Sequence, residues 1–86
     1  MAVAVLSNGH AMQAAGDIEG RYANYFQIGQ NAIEFIIEFG QMYESEASPL
    51  IHTRIITTPG YVKELLDLLQ KSLGEYEARL GRVRKT

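Results

Sequence analysis

The sequence predicts a small α+β domain in which a three-stranded antiparallel meander is followed by one long C-terminal helix, a βββα order. Two stretches of alternating apolar and polar residues and a third β-branched run predict the strands. A Thr-Pro pair followed by apolar residues at steps of three and four predicts the helix. We expect the helix to pack on the sheet and dimerisation to complete the core.

Composition limits what can stabilise this domain. The chain has 86 residues, no cysteine, and two histidines, His10 and His52. A chain of this length buries only about 60–65% of the surface that its unfolded form exposes. Disulfides and thiolate metal sites are excluded, and two separate imidazoles are too few for a structural zinc site. Oligomerisation remains as the source of added stability.

Charge and hydropathy bear on partners and location. The net charge of −2 and the pI near 5.6 weigh against general nucleic-acid binding, which normally uses a basic face. No apolar run approaches the roughly 20 residues of a membrane span. Residues 2–6 are too short a stretch for a signal-peptide core. We therefore expect a cytoplasmic protein with no membrane partner and no cofactor.

The chain divides into three parts by composition. Residues 1–19 are rich in Ala and Gly without a sustained period, which predicts a flexible N-terminal arm. Residues 20–83 carry the periodic patterns and form the single domain. Residues 84–86 are a C-terminal tail.

The first two strands are predicted from alternation. Residues 22–28 and 33–39 alternate apolar and polar side chains, and residues 29–31 are turn-like. A turn at that place brings together one aromatic face. The expected cross-strand pairs are Ile28 with Ile33, Phe26 with Phe35, and Tyr22 with Phe39.

A polar loop at residues 43–49 ends in proline and leads into a third strand, residues 50–57. An antiparallel return brings Arg54 close to Glu38, and such a pair stabilises the register by roughly a few tenths of a kcal/mol. We interpret this pair and His52 as ordinary features of a solvated face. The expected sides of the strand are Ile51, Thr53 and Ile55 on one and His52, Arg54 and Ile56 on the other.

Helix boundaries follow from capping residues. Thr58 is a hydroxyl N-cap, Pro59 suits the first helical position, and Gly81 suits a left-handed C-cap. An apolar row along the helix, here called the helix stripe, is expected to cover the sheet. The helix stripe consists of Val62, Leu66, Leu69, Leu73, Tyr76 and Leu80.

Three further apolar residues, here called the helix flank, lie outside the stripe. They are Tyr61, Leu65 and Leu68, about 60° to 120° to one side of Val62 at 100° per residue. The first half of the helix is therefore apolar over a wider arc than one small sheet covers. We expect the helix flank to form a subunit or partner interface.

The C-terminus concentrates positive charge in Arg79, Arg82, Arg84 and Lys85, four of the eight basic residues in the chain. One interpretation is compensation of the helix dipole followed by a solvated tail. The alternative is a basic patch, doubled in a dimer, that contacts phosphate or an acidic partner.

No nucleophile motif, phosphate loop, dinucleotide fingerprint or metal cluster is present in the sequence. Glu34 and Glu38 on one strand would be about 13 Å apart at about 3.3 Å per residue. That separation exceeds the roughly 5–9.5 Å of glycosidase carboxylate pairs. The sequence therefore predicts no catalytic residues.

Several short motifs together resemble a known bacterial and archaeal family, domain of unknown function 3467. They are Asn24 in the first strand, Glu34-Phe35-x-x-Glu38-Phe39 in the second, Arg54-Ile55 running into Thr58-Pro59, and a closing Tyr76-Glu77. The resemblance covers about residues 20–83. Glu38 stands where the family pattern has Asp, and Leu80 where it has Phe. The resemblance implies an intracellular setting and brings no activity, cofactor or catalytic residue.

The function that these observations favour is a non-catalytic homo-oligomeric protein-binding module: an adaptor, scaffold subunit or chaperone-like accessory protein. Its expected partners are a second copy of the chain, most simply as a dimer, and an unidentified protein. The alternative is a small dimeric nucleic-acid-binding protein that uses the basic C-terminal tail. An enzyme or small-ligand domain is the third hypothesis.

Overall fold

The structure, a computed structural model, describes residues 17–45 and 47–85. The elements are β1 (Tyr25–Gln30), β2 (Phe35–Gln41), β3 (Leu50–Thr57) and α1 (Pro59–Leu80). The strands form one antiparallel sheet in the order β1-β2-β3. The predicted βββα order is confirmed, and β3 and α1 have the predicted bounds.

The chain forms two compact units. One unit, Ile18–Val62, contains the sheet and the first residues of α1, and the other contains the helix from Lys63 onward. Residues 1–16 of the predicted arm and residue 86 of the predicted tail lie outside the described residues.

The β1–β2 hairpin is closed by the side chain of Asn31. Its Oδ1 accepts the backbone N–H groups of Ile33 and Glu34, both at 2.8 Å. The backbone N–H of Asn31 also donates to the carbonyl of Glu34 at 3.0 Å. An Asn that bonds to backbone groups two and three residues ahead stabilises a turn, so the loop occupies residues 31–34.

The predicted turn at residues 29–31 and the register that follows from it are wrong. Gly29 and Gln30 continue β1, because Asn31 supplies the hydrogen bonds of the turn, and the register moves by four residues. The rings of Phe26 and Phe39 meet edge to face with centroids 5.7 Å apart. The observed pairs are Phe26 with Phe39, Ile28 with Ile37 and Gln30 with Phe35, and Tyr22 lies before β1.

The predicted proximity of Arg54 to Glu38 is confirmed as a direct cross-strand pair. Arg54 Nε and Nη2 each lie 2.6 Å from Glu38 Oε2. On the other side, Gln27 Nε2 donates to Glu38 Oε1 at 3.3 Å. The Glu38 side chain is 13% exposed and accepts bonds from both neighbouring strands, so it ties all three strands into one register.

A β-bulge interrupts the pairing of β2 and β3. Phe39 pairs with Thr53 and Gly40 pairs with Ile51, so His52 has no partner on β2. This extra residue overturns the predicted alternation, because Ile51 moves to the face opposite Thr53. A Cβ on Gly40 would lie 2.6 Å from the carbonyl oxygen of Leu50, so the bulge brings the strands closer than a side chain allows.

The caps of α1 match the sequence. The Thr58 carbonyl accepts the N–H of Val62 at 3.0 Å, the first intrahelical bond that an N-cap residue makes. Gly81 has φ of 98° and donates its N–H to the Glu77 carbonyl at 2.9 Å. That bond and conformation are those of a left-handed glycine cap.

Few side chains are buried among the described residues. Ile37, 9% exposed, is the buried apolar residue among those described, and α1 has none. In the helix stripe, Leu69 is 58% exposed and Leu66 and Leu73 are about half exposed. Burial of the helix stripe against a sheet remains a prediction.

We predict that Gly40→Ala destabilises the protein, because the new methyl group meets the Leu50 carbonyl and the Cα of Ile51, which lies 3.2 Å away. Both are backbone atoms that a rotamer change cannot move. The expected cost is about 1–3 kcal/mol, read as a lower midpoint in urea.

Gly29→Ala is the matched control on β1. Its Cβ would lie 4.0 Å from Ile36 Cβ, an ordinary contact. The change should leave stability within about 1 kcal/mol of wild type. Equal midpoints for the two variants would contradict the close approach at the bulge.

Candidate functional site

The main candidate site is a sheet surface that the register assembles from all three strands, here called the apolar sheet face. Cross-strand partners lie on the same side of a sheet, and alternate residues of one strand share a face. The register therefore places apolar residues of all three strands on one side of the sheet, with no charged strand residue among them. The apolar sheet face consists of Phe26, Ile28, Phe35, Ile37, Phe39 and Ile55.

Three side chains of the apolar sheet face are exposed. Phe26 is 61%, Ile28 56% and Ile55 47% exposed, and they surround the buried Ile37. Contiguous exposed apolar patches of this kind mark interaction sites or aggregation hazards, since water solvates them poorly. The sheet thus presents a surface suited to protein contact.

The opposite sheet face carries a polar network. Tyr25 donates its hydroxyl to Gln27 Oε1 at 3.2 Å, Gln27 donates to Glu38, and Glu38 pairs with Arg54. Each side chain of the network is bonded to another, so the network stabilises the strand register. Glu34 lies in the hairpin turn and not on β2, so the prediction that Glu34 and Glu38 share one strand, on which they were rejected as a catalytic pair, is wrong.

The helix flank lies on the first half of α1, as predicted. Tyr61 is 50% and Leu65 41% exposed, and Leu68 is half-buried. Leu65 and Leu68 therefore give α1 a second apolar side beside the helix stripe. The structure contains one chain, so the interface role of the helix flank remains a prediction.

His52, the extra residue of the bulge, reaches the chain segment that precedes β1. Its Nε2 lies 2.9 Å from the carbonyl oxygen of Tyr22, and its Nδ1 lies 2.6 Å from Thr53 Oγ1. A carbonyl only accepts, so Nε2 donates, and Nδ1 of the neutral imidazole then accepts the Thr53 hydroxyl proton. Both ring nitrogens are engaged in holding the chain.

The segment before β1 has a second attachment at Asn24. Asn24 Nδ2 donates to the carbonyl of Met42 at 3.2 Å, and its Oδ1 accepts the Met42 N–H at 2.8 Å. Its own N–H donates to the carbonyl of Gly40 at 3.0 Å. The side-chain amide thus continues the ladder beyond the first residue of β1 and the last residue of β2.

An open cavity of about 330 Å³ lies along this segment. Glu19 and Arg21 form an exposed ion pair, 3.3 Å between Oε1 and Nε, on its rim. Because the polar atoms of His52 already have partners, the cavity offers a ligand few free groups. Its lining is Glu19, Arg21, Ala23, Phe39, His52 and Thr53.

Sequence reasoning missed both attachments. A glycine inside a strand pattern indicates a bulge or a close approach, and Gly40 was such a signal. The contact between His52 and Tyr22, 30 residues apart, has no local signal.

The basic tail bends back beside α1. Val83 donates its backbone N–H to Glu77 Oε2 at 2.9 Å. Arg84 and Lys85 line an open hollow together with Glu77, Leu73 and Val83. Arg79 lies in the last turn of α1, and Arg82 follows the Gly81 cap. The tail cations thus lie near an acidic side chain, which reduces their combined positive field.

Two general features concern metals and membranes. Across residues 17–45 and 47–85, no group of three or more His, Cys, Asp or Glu side chains is placed to hold a metal ion. Within the same ranges, no helix has the length and the apolar composition of a membrane span.

The fold and its surfaces define a small α+β domain that displays an apolar sheet face. The family model described as Protein of unknown function (DUF3467) matches residues 9–85, and the chain belongs to this family. The match begins before residue 20, where the sequence resemblance began. Searches of curated proteins and of solved structures find no significant match.

We predict that His52→Ala frees the segment before β1. Losing one hydrogen bond of about 1 kcal/mol raises the open population of the segment about fivefold. Trypsin cleavage after Arg21 should accelerate by the same factor where cleavage follows the open population. Cleavage after Arg82 in the same molecule is the internal control, and equal acceleration at both sites would point to general unfolding instead.

Proposed function

We propose that the chain is a non-catalytic, homodimeric protein-binding module of the cytoplasm, in the manner of an adaptor, scaffold subunit or chaperone-like accessory protein. One observation carries the proposal: among the described residues, three of the six side chains of the apolar sheet face and five of the six of the helix stripe are exposed. A surface of this composition needs a protein cover in water.

Energetics favour a second chain as that cover. Ordering the backbone costs about 1–2 kcal/mol per residue, and fully burying one Ile, Leu or Phe returns about 1.5–3 kcal/mol. Ile37 is the buried apolar side chain among the described residues, so this burial does not offset the ordering of the sheet and α1. A second copy supplies the missing burial without requiring another gene product, and a two-fold dimer is the simplest closed assembly.

The non-catalytic part of the proposal draws on the hydrogen bonds of the two most reactive candidates, Glu38 and His52. Glu38 is engaged by Arg54 and Gln27, and His52 is engaged by Tyr22 and Thr53. General acid–base catalysis needs a group within hydrogen-bond reach of a substrate proton. The polar atoms of these side chains are instead bonded to other residues of the protein and hold chain segments together.

A protein partner fits the sheet face that carries the polar network. Tyr25, Arg54 and Ile56 lie on that face, and Ile56 is 58% exposed. Tyrosine and arginine are enriched at protein interfaces, where an amphipathic ring and a planar cation supply apolar contact and hydrogen bonds together. The polar network fixes Tyr25 and Arg54 in advance.

The nucleic-acid alternative is weaker. The chain has a net charge of −2, and Glu77 lies beside Arg84 and Lys85 in the tail. A binder that depends on these cations would lose affinity steeply with added salt. A gel-shift titration with duplex DNA at low and high salt separates the two proposals, and we expect no shift at either salt concentration.

We predict that wild type sediments as a dimer at micromolar concentration and that Leu65→Glu with Leu68→Glu makes it monomeric or unfolded. Each substitution puts a carboxylate into the helix flank, and a buried unpaired charge costs several kcal/mol, on the order of 3–5. Analytical ultracentrifugation gives the mass, and circular dichroism reports folding.

Gln70→Glu is the matched control. Gln70 is exposed on the same helix, about 140° to 160° around the axis from Leu65 and Leu68 at 100° per residue. It adds the same carboxylate away from the helix flank and should leave the dimer intact. A wild-type protein that sediments as a folded monomer would overturn the dimer proposal.

The partner is tested by affinity purification from native extract. We expect a stoichiometric protein to accompany wild type and to be lost with Ile56→Asp, while Ile56→Asp still sediments as a dimer. Retention of the same protein by Ile56→Asp would remove the polar-network face as the binding surface.

A further inference from the structure

We infer that the second copy covers the apolar sheet face with its own helix stripe, so that the helix of each chain packs on the sheet of the other. The inference rests on the proposed dimer, whose interface also includes the helix flank, and names two further surfaces that meet in it. Four observations carry it: the dimensions of the two surfaces, their composition, the connection between β3 and α1, and the area that the exchange buries.

The apolar sheet face has the dimensions of one helix. From Phe35 to Phe39 it runs about 13 Å at about 3.3 Å per residue, and its outer strands lie about 10 Å apart. A helix with side chains is about 10–12 Å wide, and Leu66 to Leu73 spans about 10 Å along the axis. One helix therefore covers one sheet face.

The two surfaces also match in composition. Both consist of aliphatic and aromatic side chains, and neither includes a charged residue. The neutral residues Gln30, Thr53 and Thr57 share the sheet side with the apolar face and bring no charge into the contact. Burying the two surfaces against each other therefore leaves no unpaired charge inside.

The connection between sheet and helix favours exchange. β3 ends at Thr57 and α1 begins at Pro59, so Thr58 is the connecting residue. Connections that return a helix onto its own sheet usually have about 2–6 residues. A one-residue connection limits how far the helix can fold back onto its own sheet. The helix of a neighbouring copy is not joined to this sheet, so the short connection does not limit its position there.

The area is sufficient for a stable dimer. The sheet face and helix stripe together offer twelve side chains per chain, most of them about half exposed. Since a large side chain has about 150–250 Å² to bury, the two reciprocal contacts remove on the order of 2,000 Å². Obligate homodimers bury about 2,000 Å² or more.

Cysteine cross-linking tests the inference cleanly, because the chain has no cysteine of its own. One chain carries Ile28→Cys or Ile55→Cys, and a co-expressed chain with a longer tag carries Leu66→Cys, Leu69→Cys or Leu73→Cys. We expect at least one of the six pairs to give a covalent heterodimer on non-reducing gels after oxidation. A disulfide forms only where Cβ atoms come within about 3.5–4.5 Å.

Lys71→Cys is the matched control for the helix positions. Lys71 is exposed, about 160° around the axis from Leu69 at 100° per residue, and should link to neither sheet position. Chains that carry a single cysteine test other packings. Homodimers linked through Ile55→Cys alone, with no sheet-to-helix link, would mean that two sheets pack face to face, and would overturn the inference.

Two further outcomes separate the inference from the proposed dimer. In a chain with both Ile55→Cys and Leu69→Cys, a link within one chain and none between chains would assign the helix to its own sheet. Failure of all six pairs in dimeric variants would overturn the inference in the same way. Either result leaves the dimer standing, whereas a monomeric wild type removes both proposals.

Discussion

The pairing register of β2 with its two neighbours is the constraint on which the rest of the structure depends. Side chains alternate across a sheet, so a slip of one residue would move every apolar group to the opposite face. Asn31 fixes the β1–β2 side by closing the hairpin, and Glu38 fixes both sides by joining Gln27 and Arg54. Gly40 then admits the bulge near the start of β3.

This register separates two surfaces of different character. One side collects aromatic and β-branched residues, and the other holds a hydrogen-bonded network in which Tyr25, Gln27, Glu38 and Arg54 support one another. The two faces of the sheet therefore differ in polarity before any second molecule binds. In the proposed dimer, folding and association become one reaction, and the measured stability depends on protein concentration.

Much of the fold was predictable because its signals are local. Thr58, Pro59 and Gly81 mark the ends of α1, and the charges of Glu38 and Arg54 select each other across β2 and β3. The hairpin was mispredicted because Gly29 and Asn31 are both turn residues, and which one opens the turn depends on side-chain bonds that alternation does not reveal. The sites depend even more on what lies beyond local sequence. The sequence pattern predicts that the helix flank and the helix stripe are apolar. It does not identify the molecule that packs on them, because that contact involves residues of a second molecule.

The bulge at His52 has a consequence for how far assembly can proceed. β3 is an outer strand of the described sheet, and its Arg54-Ile55-Ile56-Thr57 run is rich in residues that favour strand addition. Fibrils grow when such an edge offers an unbroken row of donors and acceptors to the next molecule. The extra residue displaces that row near its start, so an incoming strand finds bonding groups out of step. Bulges of this kind are one of the devices by which outer strands avoid open-ended pairing with further molecules.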